Sequence, residues 1–105
     1  MKLKLNPWQR IQLEMLVGNV KGAAAEVRKA VKLLDVLEMT DAERAEIGFR
    51  TEGGMILWDK QEHAFEIEIK DGNLAAFLTN LAKQKTDWPA NRHAIDLFDQ
   101  MGIED

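Results

Sequence analysis

The side chains whose ordinary pKa suits acid–base chemistry near neutral pH are His63 and His93, the only histidines in the chain. The sequence contains no Ser, Tyr or Cys, so its only hydroxyl groups are Thr40, Thr51, Thr79 and Thr86. Side chains fit for covalent catalysis are therefore few. The lack of cysteine excludes disulfides, thiolate zinc sites and a thiol nucleophile, and it fits a reducing compartment. Asp59, Glu62 and His63 fall in one short stretch and could hold a divalent ion loosely. Neither an EF-hand spacing nor His-Glu-x-x-His accompanies them, so a solvated loop is the simpler reading. His93 has Asp96 three residues on, which suits a surface contact near the start of a helix. With 18 acidic residues, close carboxylate pairs arise by chance. Gly53-Gly54 lacks the strand-to-helix setting and the following Lys-Ser/Thr of a phosphate cradle, and reads as a turn. Nothing here implies a cofactor or a resident metal, and the chain reads as a protein that is not an enzyme.

Nucleic-acid binding is the next chemistry to weigh. Lys21, Arg28, Lys29 and Lys32 form a basic stretch over residues 20–33, offset only by Glu26. Three helices followed by a hairpin also match the order of a winged helix. In that alternative Arg28, Lys29 and Lys32 would contact phosphates and Gly53-Gly54 would tip the wing. The third helix should then read bases, yet Asp41-Ala42-Glu43-Arg44-Ala45-Glu46 is short and acidic. The formal net charge of −4 also disfavours a general nucleic-acid binder. Acidic residues gather elsewhere too, at Asp35, Glu38, Asp41, Glu43 and Glu46, and at Asp96, Asp99, Glu104 and Asp105. Such segregation steers partners or supports self-association.

The 105 residues suffice for one domain with a single core. No apolar run approaches the ~20 residues of a membrane span. No signal-peptide core follows Met1, so a cytoplasmic protein without membrane contact is expected. Lys2–Leu5 alternates as a short strand. Asn6 caps a helix with Pro7 at its first position, running to about Val17; Trp8, Ile11 and Met15 form its apolar stripe, with Gln12 and Leu16 beside them. A second helix spans about Ala23–Leu37, with Val27, Ala30, Val31, Leu34 and Leu37 inward. Thr40-Asp41-Ala42-Glu43 is a capping box opening a short third helix that Gly48 stops. Gly53-Gly54 turns a hairpin between Phe49–Glu52 and Met55–Trp58. Ala64–Lys70 is a further strand. Helices over about Leu74–Lys85 and from Pro89 onward close the chain, the first with Leu74, Phe77, Leu78 and Leu81 inward. In the last, Ala94, Ile95, Phe98 and Met101 should face inward.

The order β-α-α-α-β-β-β-α-α predicts an α+β fold: a small antiparallel meander packed with about five helices. Phe65-Glu66-Ile67-Glu68-Ile69 alternates, so Glu66 and Glu68 face out. Lys2 and Lys4 make a matching row, which predicts pairing of strand 2–5 with strand 65–69. Met55-Ile56-Leu57-Trp58 does not alternate. Apolar on both faces, it belongs in the middle of the meander, and the face carrying Met55 and Leu57 requires cover. The cover comes either from the chain's own helices or from another molecule. Trp8 and Trp58 fit core stripes; Trp88, at the turn between the last two helices, is the remaining tryptophan that could anchor a partner.

Leu33-Leu34-Asp35-Val36-Leu37, then Thr40-Asp41-Ala42-Glu43-Arg44, Gly48-Phe49 and Gly-Gly-x-x-x-Trp at 53–58 carry a resemblance in pattern and order. The chain resembles, end to end, small proteins encoded in phages and prophages whose activity is unassigned. The resemblance implies an accessory protein in a bacterial cytoplasm that docks onto host or phage machinery. It supplies no catalytic or ligand residue. The favoured function is protein binding, by self-association, by a host or phage partner, or both, through Met55, Leu57 and Trp88. A winged-helix-like regulator using Arg28, Lys29 and Lys32 is the alternative, and an oligomer that sequesters a small ligand between copies is a second.

Overall fold

The computed structural model describes residues 1–60 and 62–104; Gln61, in the Asp59–His63 stretch, and Asp105, in the acidic tail, lie outside the described residues. The elements run β1 (Lys2–Leu5), α1 (Pro7–Gly18), α2 (Ala24–Leu37), α3 (Asp41–Ile47), β2 (Arg50–Glu52), β3 (Met55–Leu57), β4 (Phe65–Glu68), α4 (Gly72–Gln84) and α5 (Arg92–Met101). This is the α+β class and the element order that the sequence pattern predicts. Among the described residues no helix is long and apolar enough to cross a membrane.

β1 and β4 pair antiparallel, with Lys2 opposite Glu68, Leu3 opposite Ile67 and Lys4 opposite Glu66. The charged row is the one expected from the alternation, and Leu3, Leu5, Ile67 and Ile69 are buried on the other side. The terminal ammonium donates to the Ile69 carbonyl at 2.7 Å and extends the pairing by one residue. Gln100 of α5 blocks the edge of β1. Its Oε1 accepts from the Lys4 N–H at 2.7 Å and its Nε2 donates to the Lys4 carbonyl at 2.8 Å. A side-chain amide thus occupies the place where another strand would pair.

The expected meander does not form. The strands divide into two two-stranded sheets, β1–β4 and β2–β3. β4 takes β1 as its neighbour, because that pairing matches the charged rows and buries four apolar side chains under the helices. After Leu57 the chain turns back: the Asp59 and Lys60 N–H groups both donate to the Ile47 carbonyl, at 2.9 and 3.2 Å. That return ends β3 before it reaches β4, so Met55–Leu57 is half of a separate hairpin and not a central strand.

Three helix faces differ from the expected stripes. In α1 the buried side chains are Pro7, Gln9, Arg10, Leu13 and Val17, while Met15 faces out. In α2 they are Ala30, Leu33 and Leu37, with Val27 and Val31 exposed. In α5 they are Ala94, Leu97 and Met101, and Ile95 is exposed. The Leu33-Leu34 doublet explains α2, since it fits two stripes about one residue apart and packing selects the one with Leu33 at its centre. α4 lies as expected, with Leu78 buried and Leu74, Phe77 and Leu81 packed at the core's border.

Candidate functional site: an exposed apolar hairpin

The hairpin is held firmly at its base. Thr40 caps α3: its hydroxyl accepts from the Glu43 N–H at 3.1 Å, and the Glu43 carboxylate accepts from the Thr40 N–H at 2.9 Å. Arg10, 2% exposed, reaches the same carboxylate from α1. Its Nη1 donates to Glu43 Oε2 at 2.8 Å and its Nη2 to Oε1 at 3.2 Å. Its Nε donates to the Leu37 carbonyl at 2.6 Å and Nη2 to the Glu38 carbonyl at 3.1 Å. One guanidinium therefore caps the end of α2, where cations are favoured, and clamps the start of α3. Burial alone would raise the Glu43 carboxyl, but Arg10 and the Thr40 N–H outweigh it and hold the group below the ordinary glutamate range. Ile47, fully buried, anchors the far end of α3.

From there the chain enters the hairpin through Gly48, whose φ of 71° is left-handed. A Cβ at Gly48 would also run into the Asp59 carboxylate, which accepts from Arg50 Nη1 at 2.8 Å. The Arg44 guanidinium lies over the Phe49 ring, 5.3 Å from its centroid. Gly53 and Gly54 have φ of 56° and 78°, the double left-handed pattern of a tight two-residue turn whose twist matches its strands.

Beyond this base the hairpin is largely uncovered by the described residues. Arg50, Thr51, Glu52, Met55 and Ile56 are all exposed. Met55 is 64% exposed, Ile56 51%, and Leu57 half-buried. The register Glu52–Met55, Thr51–Ile56, Arg50–Leu57 places Met55 and Leu57 on one face with Arg50 and Glu52, and Ile56 on the other with Thr51. Both faces of β3 are apolar and both meet solvent. In a two-residue hairpin the pairs at Glu52–Met55 and Arg50–Leu57 exchange their backbone bonds, which leaves the N–H and C=O of Thr51 and Ile56 directed outward along the two edges.

Of the residues that the sequence singled out, Met55 and Leu57 are brought together here. Trp88 is not. It is half-buried at the α4–α5 corner, edge-on to Phe98 at 5.2 Å, with Nε1 donating to the Ala82 carbonyl at 3.1 Å. Packing uses it, so it offers no free anchor. Arg28, Lys29 and Lys32 are solvent-facing on α2, with the Lys29 ammonium 5.7 Å from the centre of the Phe77 ring. Asp59, Glu62 and His63 do not converge on an ion. They contact Arg50, His93 and Glu46 respectively, and no group of three or more metal-binding side chains gathers among the described residues.

His93 borders a polar depression of about 460 Å³ with Lys4, Asn6, Gln9, Glu62 and Asp96. Asn6 Oδ1 accepts from the Gln9 N–H at 2.8 Å as the cap of α1, so its Nδ2 is the donor to His93 Nδ1 at 3.0 Å. The neutral imidazole then carries its proton on Nε2, 3.8 Å from Glu62. The contact expected between His93 and Asp96 is replaced. Asp96 accepts from Gln9 Nε2 at 2.9 Å and Gln100 Nε2 at 2.8 Å. These groups fasten α5 to α1 and β1. Sequence reasoning missed Gln9 and Arg10, both read as outside the apolar stripe of α1. Gln at the third position after Asn6 was the available signal for Gln9, since it completes a capping box. Arg10 carried no such signal. Comparison with protein-family models, with curated proteins and with solved structures finds no significant match.

Proposed function

We propose that this chain is a small binding protein without catalysis, and that its working surface is the hairpin Arg50–Leu57. The observation that carries this reading is the exposure of Met55 and Ile56 on a strand whose base is fixed by Arg10, Ile47 and Gly48. A monomer gains nothing from leaving such side chains in water. Burying each at an interface is worth up to about 1.5–3 kcal/mol. Rigid anchoring lowers the entropy lost on docking. The chain's end-to-end resemblance in pattern and order to small phage- and prophage-encoded proteins favours an accessory role in a bacterial cytoplasm, where it would act on host or phage machinery.

Immobilised protein tests the reading against bacterial extract. Wild type should retain a defined protein, a second copy of itself or another chain. Met55→Asp with Ile56→Asp should lose that partner while its circular dichroism stays unchanged, because both side chains already face solvent. Arg28→Ala with Lys32→Ala should retain it. Loss in the α2 variant, with salt-sensitive retention of DNA or RNA by wild type, would move the function to the basic helix.

A further inference from the structure

We propose that the hairpin's partner is a second copy of this chain, joined by antiparallel pairing of β3 with β3 about Ile56. This rests on the hairpin being the working surface. The outward N–H and C=O of Ile56 lie on the edge of β3 opposite β2, where no other described strand pairs, so two copies related by a two-fold axis exchange both bonds at that residue. Every side chain then meets a match. Ile56 faces Ile56 of the second copy, and Met55 and Leu57 face Leu57 and Met55. Gly54, with no side chain, falls opposite Trp58 of the second copy. No charged residue lies in the paired segment, so like charges do not oppose one another. The other sheet offers no comparable edge at β1, where Gln100 occupies the Lys4 backbone. The pairing builds a four-stranded sheet, β2-β3-β3-β2, across the axis.

The area sets the strength. Six apolar side chains and two short strands bury well below the roughly 1,200–2,000 Å² of a standard interface. The dimer is therefore reversible and concentration-dependent. Because each copy carries a net charge of −4, screening by salt strengthens it.

The absence of native cysteine makes the test clean. In the paired geometry the two Ile56 Cα atoms stand about 5.5 Å apart, inside the range of about 4.4–6.8 Å that a disulfide spans. Ile56→Cys should cross-link into a dimer under mild oxidation at least roughly tenfold faster than Val31→Cys, as expected for an intramolecular-like encounter. Val31 is an equally exposed control, both residues being 51% exposed. Thr51→Cys, on the other edge, should match Val31→Cys. Cysteine-free wild type should approach twice the monomer mass in sedimentation as concentration rises, and Ile56→Lys should stay monomeric at the same concentrations. Equal rates for Ile56→Cys and Val31→Cys overturn the pairing, as does faster cross-linking at Thr51. So does wild type that remains monomeric at millimolar concentration. If the pairing falls while Met55→Asp with Ile56→Asp still loses a different captured protein, the hairpin remains the binding surface and only the identity of its partner changes.

Discussion

Replacing Arg10 by Met keeps the length of the side chain and removes four hydrogen bonds: two to the Glu43 carboxylate and one each to the Leu37 and Glu38 carbonyls. Removing one partner of a buried ion pair costs about 3–5 kcal/mol. The Glu43 side chain keeps 22% of its surface in solvent and can partly rehydrate, which places the loss at the lower end, about 3 kcal/mol. Arg10 joins the end of α2 to the start of α3, so the damage should be local as well as global. Amide exchange in Asp41–Ile47 and Arg50–Leu57 should accelerate by about 100-fold, the equivalent of about 3 kcal/mol. Urea unfolding gives the total, and exchange read by mass spectrometry gives the location. Arg10→Lys retains the charge without the fork and should fall between. The effect carries a pH signature. Glu43 is held below its ordinary value of 4.5, so the pair's contribution is complete above that value and is lost as pH falls through the lowered one. The gap between wild type and Arg10→Met should therefore narrow in acid. A loss under about 1 kcal/mol, or unchanged protection in α3, would refute the clamp. Should Arg10→Met fail to fold, Glu43→Gln supplies the milder cut at about 1–2 kcal/mol.

Glu14 is raised, first by burial, and its Oε1 has no hydrogen-bond partner among the described residues. Its charge opposes folding above the raised value and is neutralised below it, so Glu14→Gln should stabilise by about 1 kcal/mol at neutral pH and by nothing in strong acid, as read by denaturant titration at both pH values. Gly48→Ala meets both a left-handed backbone and the Asp59 carboxylate, and should cost about 1–2 kcal/mol with the loss centred on the hairpin. Nitrogen NMR of His93 at neutral pH should find the proton on Nε2, because Asn6 Oδ1 is committed to the cap of α1.

The strand signals were strongest where one face is wet. Alternation in Lys2–Leu5 and Phe65–Ile69 sufficed for both their pairing and the Lys–Glu register. Caps were equally legible, because Asn6, Thr40 and Gly48 act within a few residues of themselves. Helix faces were less so. α1 buries two polar side chains, Gln9 and Arg10, whose partners lie on α5, α2 and α3, and no local pattern announces contacts so distant in sequence. Met55-Ile56-Leu57 was read correctly as apolar on both faces. Its placement failed, since an isolated hairpin whose faces both await cover has the same pattern as a buried central strand. Met55 and Leu57 were thus legible as apolar side chains in need of cover, while the exposed Ile56 edge required the topology.

The most direct measurement is the sedimentation of a fluorescently labelled trace of the protein in bacterial extract, with unlabelled protein added to millimolar concentration, beside the Met55→Asp, Ile56→Asp variant. Wild type should run above monomer mass, and the variant should fall to a folded monomer. Two identical monomer peaks would contradict a docking role for the hairpin and leave its apolar side chains without a use.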